Sequence, residues 1–138
     1  MTTNVVTVNE TANFSEIADI FFLRKITSAP VVNKVKNIKG IISHYDLLYR
    51  LFPPPEEFYT DPNYFRYKDW HTSKRDLNNL RAVDIMTTKV ITVNPDDEIR
   101  KACSVMVINH LRRLPVEDNS KLLGVVYSKV LTNILFNS

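Results

Sequence analysis

Glycine is nearly missing. Gly40 and Gly124 are the only two in 138 residues. That excludes the phosphate cradles built on several glycines, the Walker loop and the GxGxxG turn, and the GxSxG nucleophile elbow. Cys103 is the one cysteine, so no internal disulfide can form and a reducing compartment is expected. His44, His71 and His110 are the only histidines. Their spacing suits no metal, and no metal or other resident cofactor is expected. No apolar run approaches the roughly 20 residues of a membrane span, and the chain does not open on a signal peptide. The expected location is cytoplasmic, with no membrane partner. Charge is close to balanced, 18 Lys+Arg against 15 Asp+Glu for a net +3, and no basic block exceeds two residues. The charge balance gives no ground for a nucleic-acid partner.

The chain does contain itself twice. "MTTNVVTVNE" at residues 1–10 returns as "MTTKVITVNP" at residues 86–95. A shift of 85 sets Val5 on Val90, Thr7 on Thr92, Val8 on Val93 and Asn9 on Asn94. It also sets Phe14 on Ile99, Pro30 on Pro115, Val31 on Val116 and Lys36 on Lys121. One residue is then lost from the second copy, after which Gly40 meets Gly124, Leu47 meets Leu131 and Phe52 meets Phe136. Both glycines hold the same place, which marks a true internal duplication.

Each copy reads as β-α-β-β-α. "VVTV" and "VITV" are β-branched runs that predict strands. Asn94 predicts an N-cap, with Pro95 at the first helical position and Asp96 and Asp97 in the first turn. Phe14, Ile17, Ala18, Phe21 and Phe22 recur at helical spacing, as do Ile99, Ala102, Cys103, Met106 and Val107. Cys103 therefore reads as a small buried hydrophobe. "PVVN" and "PVED" predict second strands, "IKGIIS" and "LLGVVYS" third strands, and "YDLLYRLF" and "KVLTNILF" closing helices. A unit this small cannot bury its sheet alone. The expected fold class is α+β, with two repeats packed sheet to sheet about a pseudo-twofold axis.

One stretch carries chemistry. Gly40 admits close approach of another group to the backbone. Ser43 ends a strand, and Asp46 stands three residues on, in the first turn of the closing helix. A phosphate there would meet free N–H groups at a helix start, and the Asp46 carboxylate could accept from two vicinal hydroxyls. The same spacing also describes a plain capping arrangement that needs no ligand. Both readings follow from the residues.

The segments "MTTKVITVNPDDEI", "RRLPV" and "GIISHYDLL" resemble a tandem pair of CBS domains, the adenosyl-ligand-sensing pair often called a Bateman module. The resemblance covers residues 1–52 and 82–136. Residues 40–46 match that family's G-h-h-S/T-x-x-D ligand motif, with h an apolar residue. It implies that Ser43 meets phosphate and Asp46 holds ribose. It also implies that the base lies against Thr3, Asn4 and Val5 and against the Ala29–Pro30 step, with Gly40 and His44 flanking. Arg112 and Arg113, before "LPV", are the basic pair the family turns toward phosphate. The second copy has Tyr127 and Val130 in place of Ser43 and Asp46, which implies one good site per chain. The residues 80–88, "LRAVDIMTT", match the short helix that leads into a repeat. The first repeat begins at the equivalent of Met86, either without that lead or as an internal part of a longer chain.

The domain limits read from the sequence are 1–52 for the first repeat, 53–81 for an insert and linker, and 82–138 for the second repeat. The function implied is that of a stand-alone regulatory module that senses AMP, ADP or ATP, is not an enzyme, forms a homodimer and signals to a regulated enzyme or transporter. The alternatives are a ligand-free dimerisation and protein-interaction module, or a sensor of S-adenosylmethionine or a cyclic dinucleotide. The insert opens on three prolines, which extend as polyproline II, and interleaves Phe58, Tyr59, Tyr64, Phe65, Tyr67 and Trp70 with Arg66, Lys68, Lys74 and Arg75. Such a mixture can stack nucleic-acid bases. The reading favoured here is a connection that packs down through its rings and covers a cleft edge or a dimer contact.

Overall fold

A computed structural model of the chain describes residues 1–51 and 74–137, the side chains of residues 74 and 75 excepted. The first repeat runs β1 (Val8–Asn9), α1 (Phe14–Arg24), β2 (Ser28–Val32), β3 (Ile38–Ser43) and α2 (His44–Leu51). Next come α3 (Lys74–Asn78) and α4 (Ala82–Ile85). The second repeat runs α5 (Ile99–Asn109), β4 (Arg113–Asp118), β5 (Lys121–Tyr127) and α6 (Ser128–Phe136). The fold is the mixed α+β expected from the sequence. The rings of the insert, Phe58 to Trp70, lie outside the described residues, as do Arg66, Lys68 and the side chains of Lys74 and Arg75.

The repeats match in detail. β2 pairs antiparallel with β3 and β4 with β5, and each pairing shifts register at the same place, after Val31 and after Val116. Helices α1 and α5 both end on a left-handed cap that is not glycine, Lys25 at φ 53° and His110 at φ 54°. The chain's two glycines are committed elsewhere. Each repeat has its own core: Val8, Ile17, Val31 and Ile42 in the first, Val93, Met106, Leu114 and Val116 in the second. Cys103 is half-buried against the second, as a small hydrophobe should be.

The repeats are joined by exchange. Thr87 bonds to Ile41 of the first repeat through both N–H and C=O, at 2.9 Å each, and Thr2 bonds in the same way to Val125 of the second. Each Met-Thr-Thr segment therefore extends the other repeat's sheet, while the Val-Thr-Val that follows it turns back to its own. The hairpin turns exchange as well: Ile38 N–H donates to Ser120 O and Leu122 N–H to Lys36 O. That pair is self-consistent only if Lys36 corresponds to Ser120. The lost residue therefore precedes this point, and Lys36 is not the mate of Lys121. Lys36 and Ser120 also share a left-handed backbone, at φ 68° and 71°.

Three further expectations are corrected. Only Val8 of the first "VVTV" run pairs as a strand, together with the following Asn9, and in the second copy only Val93 bridges, to Val116. Val93 uses Pro115 O and Glu117 N–H, so the next rung would need an N–H on Pro115, which proline lacks. Asn94 does not cap α5. It starts a turn in which its N–H donates to the Asp97 carboxylate at 2.8 Å, and the helix begins four residues later after Glu98. That bond, and then the ion pair with Lys101, hold the Asp97 carboxyl below the usual carboxylate range. Finally, Phe22, Val107 and Ile99 are exposed rather than buried.

The glycines serve the exchange. A Cβ on Gly40 would lie 2.6 Å from Met86 Sδ and 2.7 Å from Thr87 O, and one on Gly124 would lie 2.5 Å from Thr2 O. Neither glycine has a positive φ, so alanine at Gly40 would stabilise by restricting the unfolded chain if space allowed. Overpacking against a fixed carbonyl instead costs about 1–3 kcal/mol. Gly40→Ala is expected to lower the free energy of chemical unfolding by that amount. An unchanged or raised midpoint would show that the crossing segment does not press on β3.

A cationic cleft on the pseudo-twofold axis

β2 and β4 each carry a proline in their third position, Pro30 and Pro115. Ile41 turns its N–H and C=O to Thr87, so Pro30 stands opposite it at a position with no ladder bond. A cleft of about 550 Å³ opens where the prolines stop the parallel ladders, within the usual range for small-ligand sites. Its walls come in pseudo-symmetric pairs: Val6 and Ile91, Ile26 and Leu111, Thr27 and Arg112, Ser28 and Arg113, Pro30 and Pro115, Ile41 and Val125. The cleft straddles the axis that relates the repeats.

Its shape is symmetric and its charge is not. Lys89, Arg112 and Arg113 all come from the second repeat, and the matching positions of the first are neutral Asn4, Thr27 and Ser28. Among the described residues no carboxylate lines the cleft. Arg113 is half-buried and crosses the axis to its own counterpart. Its Nη1 donates to Ser28 Oγ at 2.7 Å and to Ser28 O at 3.1 Å, and Nη2 donates to Thr27 Oγ1 at 3.2 Å. Lys89 and Arg112 are exposed at the mouth. Such a site offers anion-binding donors together with apolar walls.

Of the residues singled out from the sequence, Asn4, Val5, Ala29, Pro30, Arg112 and Arg113 line this cleft. Thr3, Gly40, Ser43, His44 and Asp46 do not. Thr3 is exposed beside the lining. The close approach expected at Gly40 is made by Met86 and Thr87 of the chain itself. Ser43 pairs in register with Ser28, which places it at the edge of the wall. Asp46 Oδ2 accepts from Ser43 N–H at 2.7 Å and from Ser43 Oγ at 3.1 Å, and Asp46 N–H donates back to Ser43 Oγ at 3.4 Å, the reciprocal pattern of a capping box. His44 is exposed, with Nδ1 3.2 Å from Thr27 O and its ring against Tyr45. Lys89 and Leu111 are lining residues that the sequence reading passed over, and Thr27, Ser28 and Tyr127 line the cleft although they were read only as the mates of Arg112, Arg113 and Ser43. The repeat itself points to Lys89, since it is the mate of Asn4.

The sequence model of the CBS domain matches residues 1–53 and 82–136. The uncharacterized protein MJ1426 of Methanocaldococcus jannaschii is 30% identical over 134 residues, which cover 88% of this chain and 80% of that protein. A homoserine O-acetyltransferase of Methanosalsum zhilinae is 30% identical over 139 residues, but these cover 99% of this chain and only 23% of the transferase. Among solved structures, CBSX2 in complex with AMP superposes with a TM-score of 0.69 at 20% identity, over 97% of this chain and 89% of that one. Two matched segments, related by an exchange that repeats bond for bond, place the chain in the CBS-domain family as a tandem CBS pair.

Proposed function

We propose that the axial cleft binds one adenine nucleotide, and that the chain is a regulatory module rather than a catalyst. The observation that carries this reading is the uneven charge: three cations, all from the second repeat, on a cleft that no described carboxylate lines. Phosphate would lie against Lys89, Arg112 and Arg113, where a guanidinium fork matches its oxygens. The base would lie toward Val5, Val6 and Pro30. Asp46 spends Oδ2 on Ser43, and its other oxygen is the natural acceptor for a ribose hydroxyl beside the cleft wall. The AMP complex of CBSX2 supports the ligand class, since that protein shares the fold. AMP, ADP and ATP all fit the charge. S-adenosylmethionine has no phosphate and offers these cations only a carboxylate, beside its own ammonium and sulfonium charges, and a twofold-symmetric dinucleotide would meet cations supplied by one repeat only.

Signalling follows from Arg113. A bound phosphate competes with Thr27 and Ser28 for the same guanidinium, so ligand binding alters a contact between the repeats. The receiver of that change would be a regulated enzyme or transporter. The transferase activity of the Methanosalsum protein does not carry over, because this chain corresponds to less than a quarter of it. Phe22 and Leu23 on α1, and their mates Val107 and Ile108 on α5, are largely exposed. They form a symmetric apolar surface that suits pairing with a second copy. No described helix is long and apolar enough to cross a membrane.

Four outcomes are expected. In a thermal-shift panel AMP, ADP or ATP raises the melting temperature, while adenosine and S-adenosylmethionine do not; equal effects from adenosine and AMP would remove phosphate from the reading. Calorimetric titration gives about one site per chain, and Arg113→Gln weakens binding about ten- to a hundredfold, the worth of one charge-assisted hydrogen bond at 1.5–3 kcal/mol. Asp46→Asn weakens binding with little change in the melting temperature of the free protein, because Asn keeps an acceptor for Ser43; unimpaired binding would leave Asp46 as a cap only. Light scattering gives about twice the 16.0 kDa of one chain, and a value near one chain at micromolar concentration would exclude the homodimer.

A further inference from the structure

The axial cleft is lined by one more base. His110 stands on its wall between α5 and β4, exposed and directly before Leu111, Arg112 and Arg113. Its backbone is held in place. It is the left-handed C-cap of α5 at φ 54°. Its N–H donates to Val107 O at 3.4 Å, and the next N–H, that of Leu111, donates to Met106 O at 2.8 Å. Histidine is enriched among the side chains that adopt this conformation, and a base here meets the last carbonyls of the helix. The first repeat also puts a base at this cap, Lys25 at φ 53°. The two caps differ in two respects. Lys25 does not line the cleft, whereas His110 does. Lysine stays charged throughout the neutral range, whereas histidine is the side chain whose charge changes there.

The other titratable or charged groups on the lining also come from the second repeat: Lys89, Arg112, Arg113 and Tyr127. Tyr127 pairs with Arg113 at the end of β5. β4 and α6 are the elements packed on α5. β4 places Arg113 three residues after His110 and carries Glu117 and Asp118 at its far end. α6 carries Lys129 as its one charged residue. His44 lies off the lining on the first repeat, with Nδ1 3.2 Å from Thr27 O. Among the described residues, the lining therefore offers a protonated imidazole at residue 110 no carboxylate. An anion in the cleft would supply that partner.

We propose that His110 is a fourth, proton-controlled cation of the cleft, so that the module binds its phosphate ligand more tightly as pH falls through the neutral range. This rests on the nucleotide reading above and adds proton concentration as a second signal. Protonated His110 places a positive charge beside Arg112 and Arg113, and neutral His110 does not. A bound phosphate favours the charged imidazole, so binding draws a proton from solvent onto the ring. By linkage, added protons favour binding to the same extent. Lys89, Arg112 and Arg113 attract the ligand throughout, and His110 modulates that attraction. A phosphate monoester itself takes up a proton near about pH 6, which opposes the effect below that point. The working window is therefore about pH 6 to 8.

The test is calorimetric titration of the 138-residue chain with AMP at about pH 6, 7 and 8, in the parent, His110→Asn and His110→Lys. Asn suits a left-handed cap, and Lys already holds one at residue 25. Equal melting temperatures check that the cap survives, and either variant alone suffices for the comparison. Comparing proteins at one pH cancels the titration of AMP itself. At the acid end the parent should bind about three- to fivefold more tightly than His110→Asn, the worth of an exposed ion pair, and at the alkaline end the two should bind alike. His110→Lys should match the parent at the acid end and exceed it at the alkaline end. Titration at neutral pH in two buffers of different ionisation enthalpy should show more proton uptake by the parent than by His110→Asn. A parent-to-Asn ratio that does not change with pH would overturn the proton link and leave the nucleotide site standing. Loss of binding in both variants at every pH would also overturn it, because the shape of the imidazole rather than its charge would then be what binding requires. No saturable binding of AMP by the parent at any of these pH values would remove the nucleotide reading and this inference with it.

Discussion

Everything in this molecule depends on the exchange of two short segments. Met1–Thr2 lies on β5 and Met86–Thr87 lies on β3, so each repeat supplies an edge that the other lacks. Unpaired sheet edges invite aggregation and leave backbone groups unsatisfied. Here the exchange removes two edges at once and brings the two sheets together. The close approach requires the absence of a side chain at one position on each third strand. Those positions are Gly40 and Gly124, the chain's only glycines. Scarcity of glycine elsewhere fits the same logic, since the left-handed positions at Lys25, Lys36, His110 and Ser120 are all served by other residues.

The cleft follows from the exchange together with two prolines. Pro30 and Pro115 end the parallel ladders of their sheets by withholding an N–H. The chain upstream of each ladder then peels away from its own sheet before crossing to the other. The gap left between the two peeled segments is the axial cleft. A site formed in this way is symmetric in shape by construction. It gains direction only from substitutions that differ between the copies, and here these are Lys89, Arg112 and Arg113 opposite Asn4, Thr27 and Ser28. Duplication supplies the shape of the site, and divergence supplies its chemistry.

Much of this could be read in the sequence, and the limits have physical causes. The repeat, the order of elements and the two glycines were visible because β-branched runs, helical spacing and Pro-Val steps are local signals. Arg113 was visible because a resemblance pointed to it. The exchange itself was not. "MTTNVVTV" looks like one strand to any local reading, yet its first half pairs with one sheet and its second half with another, and only the register of long-range bonds separates them. Asn94-Pro95-Asp96-Asp97 has the composition of a helix start and forms a turn instead, because the Asp97 carboxylate closes it onto Asn94. Ser43 and Asp46 fit both a cap and a ligand motif, and the capping bonds at 2.7 and 3.1 Å are compatible with either. Phe22 and Val107 follow helical spacing and still face outward, since periodicity assigns a face to a helix without stating what covers it.

The most direct test of the axial site is to map a ligand onto the backbone. With the isotopically labelled 138-residue chain and AMP as the probe, amide signals should move at Asn4, Thr27–Ala29, Lys89 and Leu111–Arg113, on both sides of the axis together and with one saturation curve. The amides of Asn94, Asp96 and Asp97 and of α6 should stay still. Saturable shifts confined to one repeat, or to surfaces away from these residues, would contradict a nucleotide site on the pseudo-twofold axis.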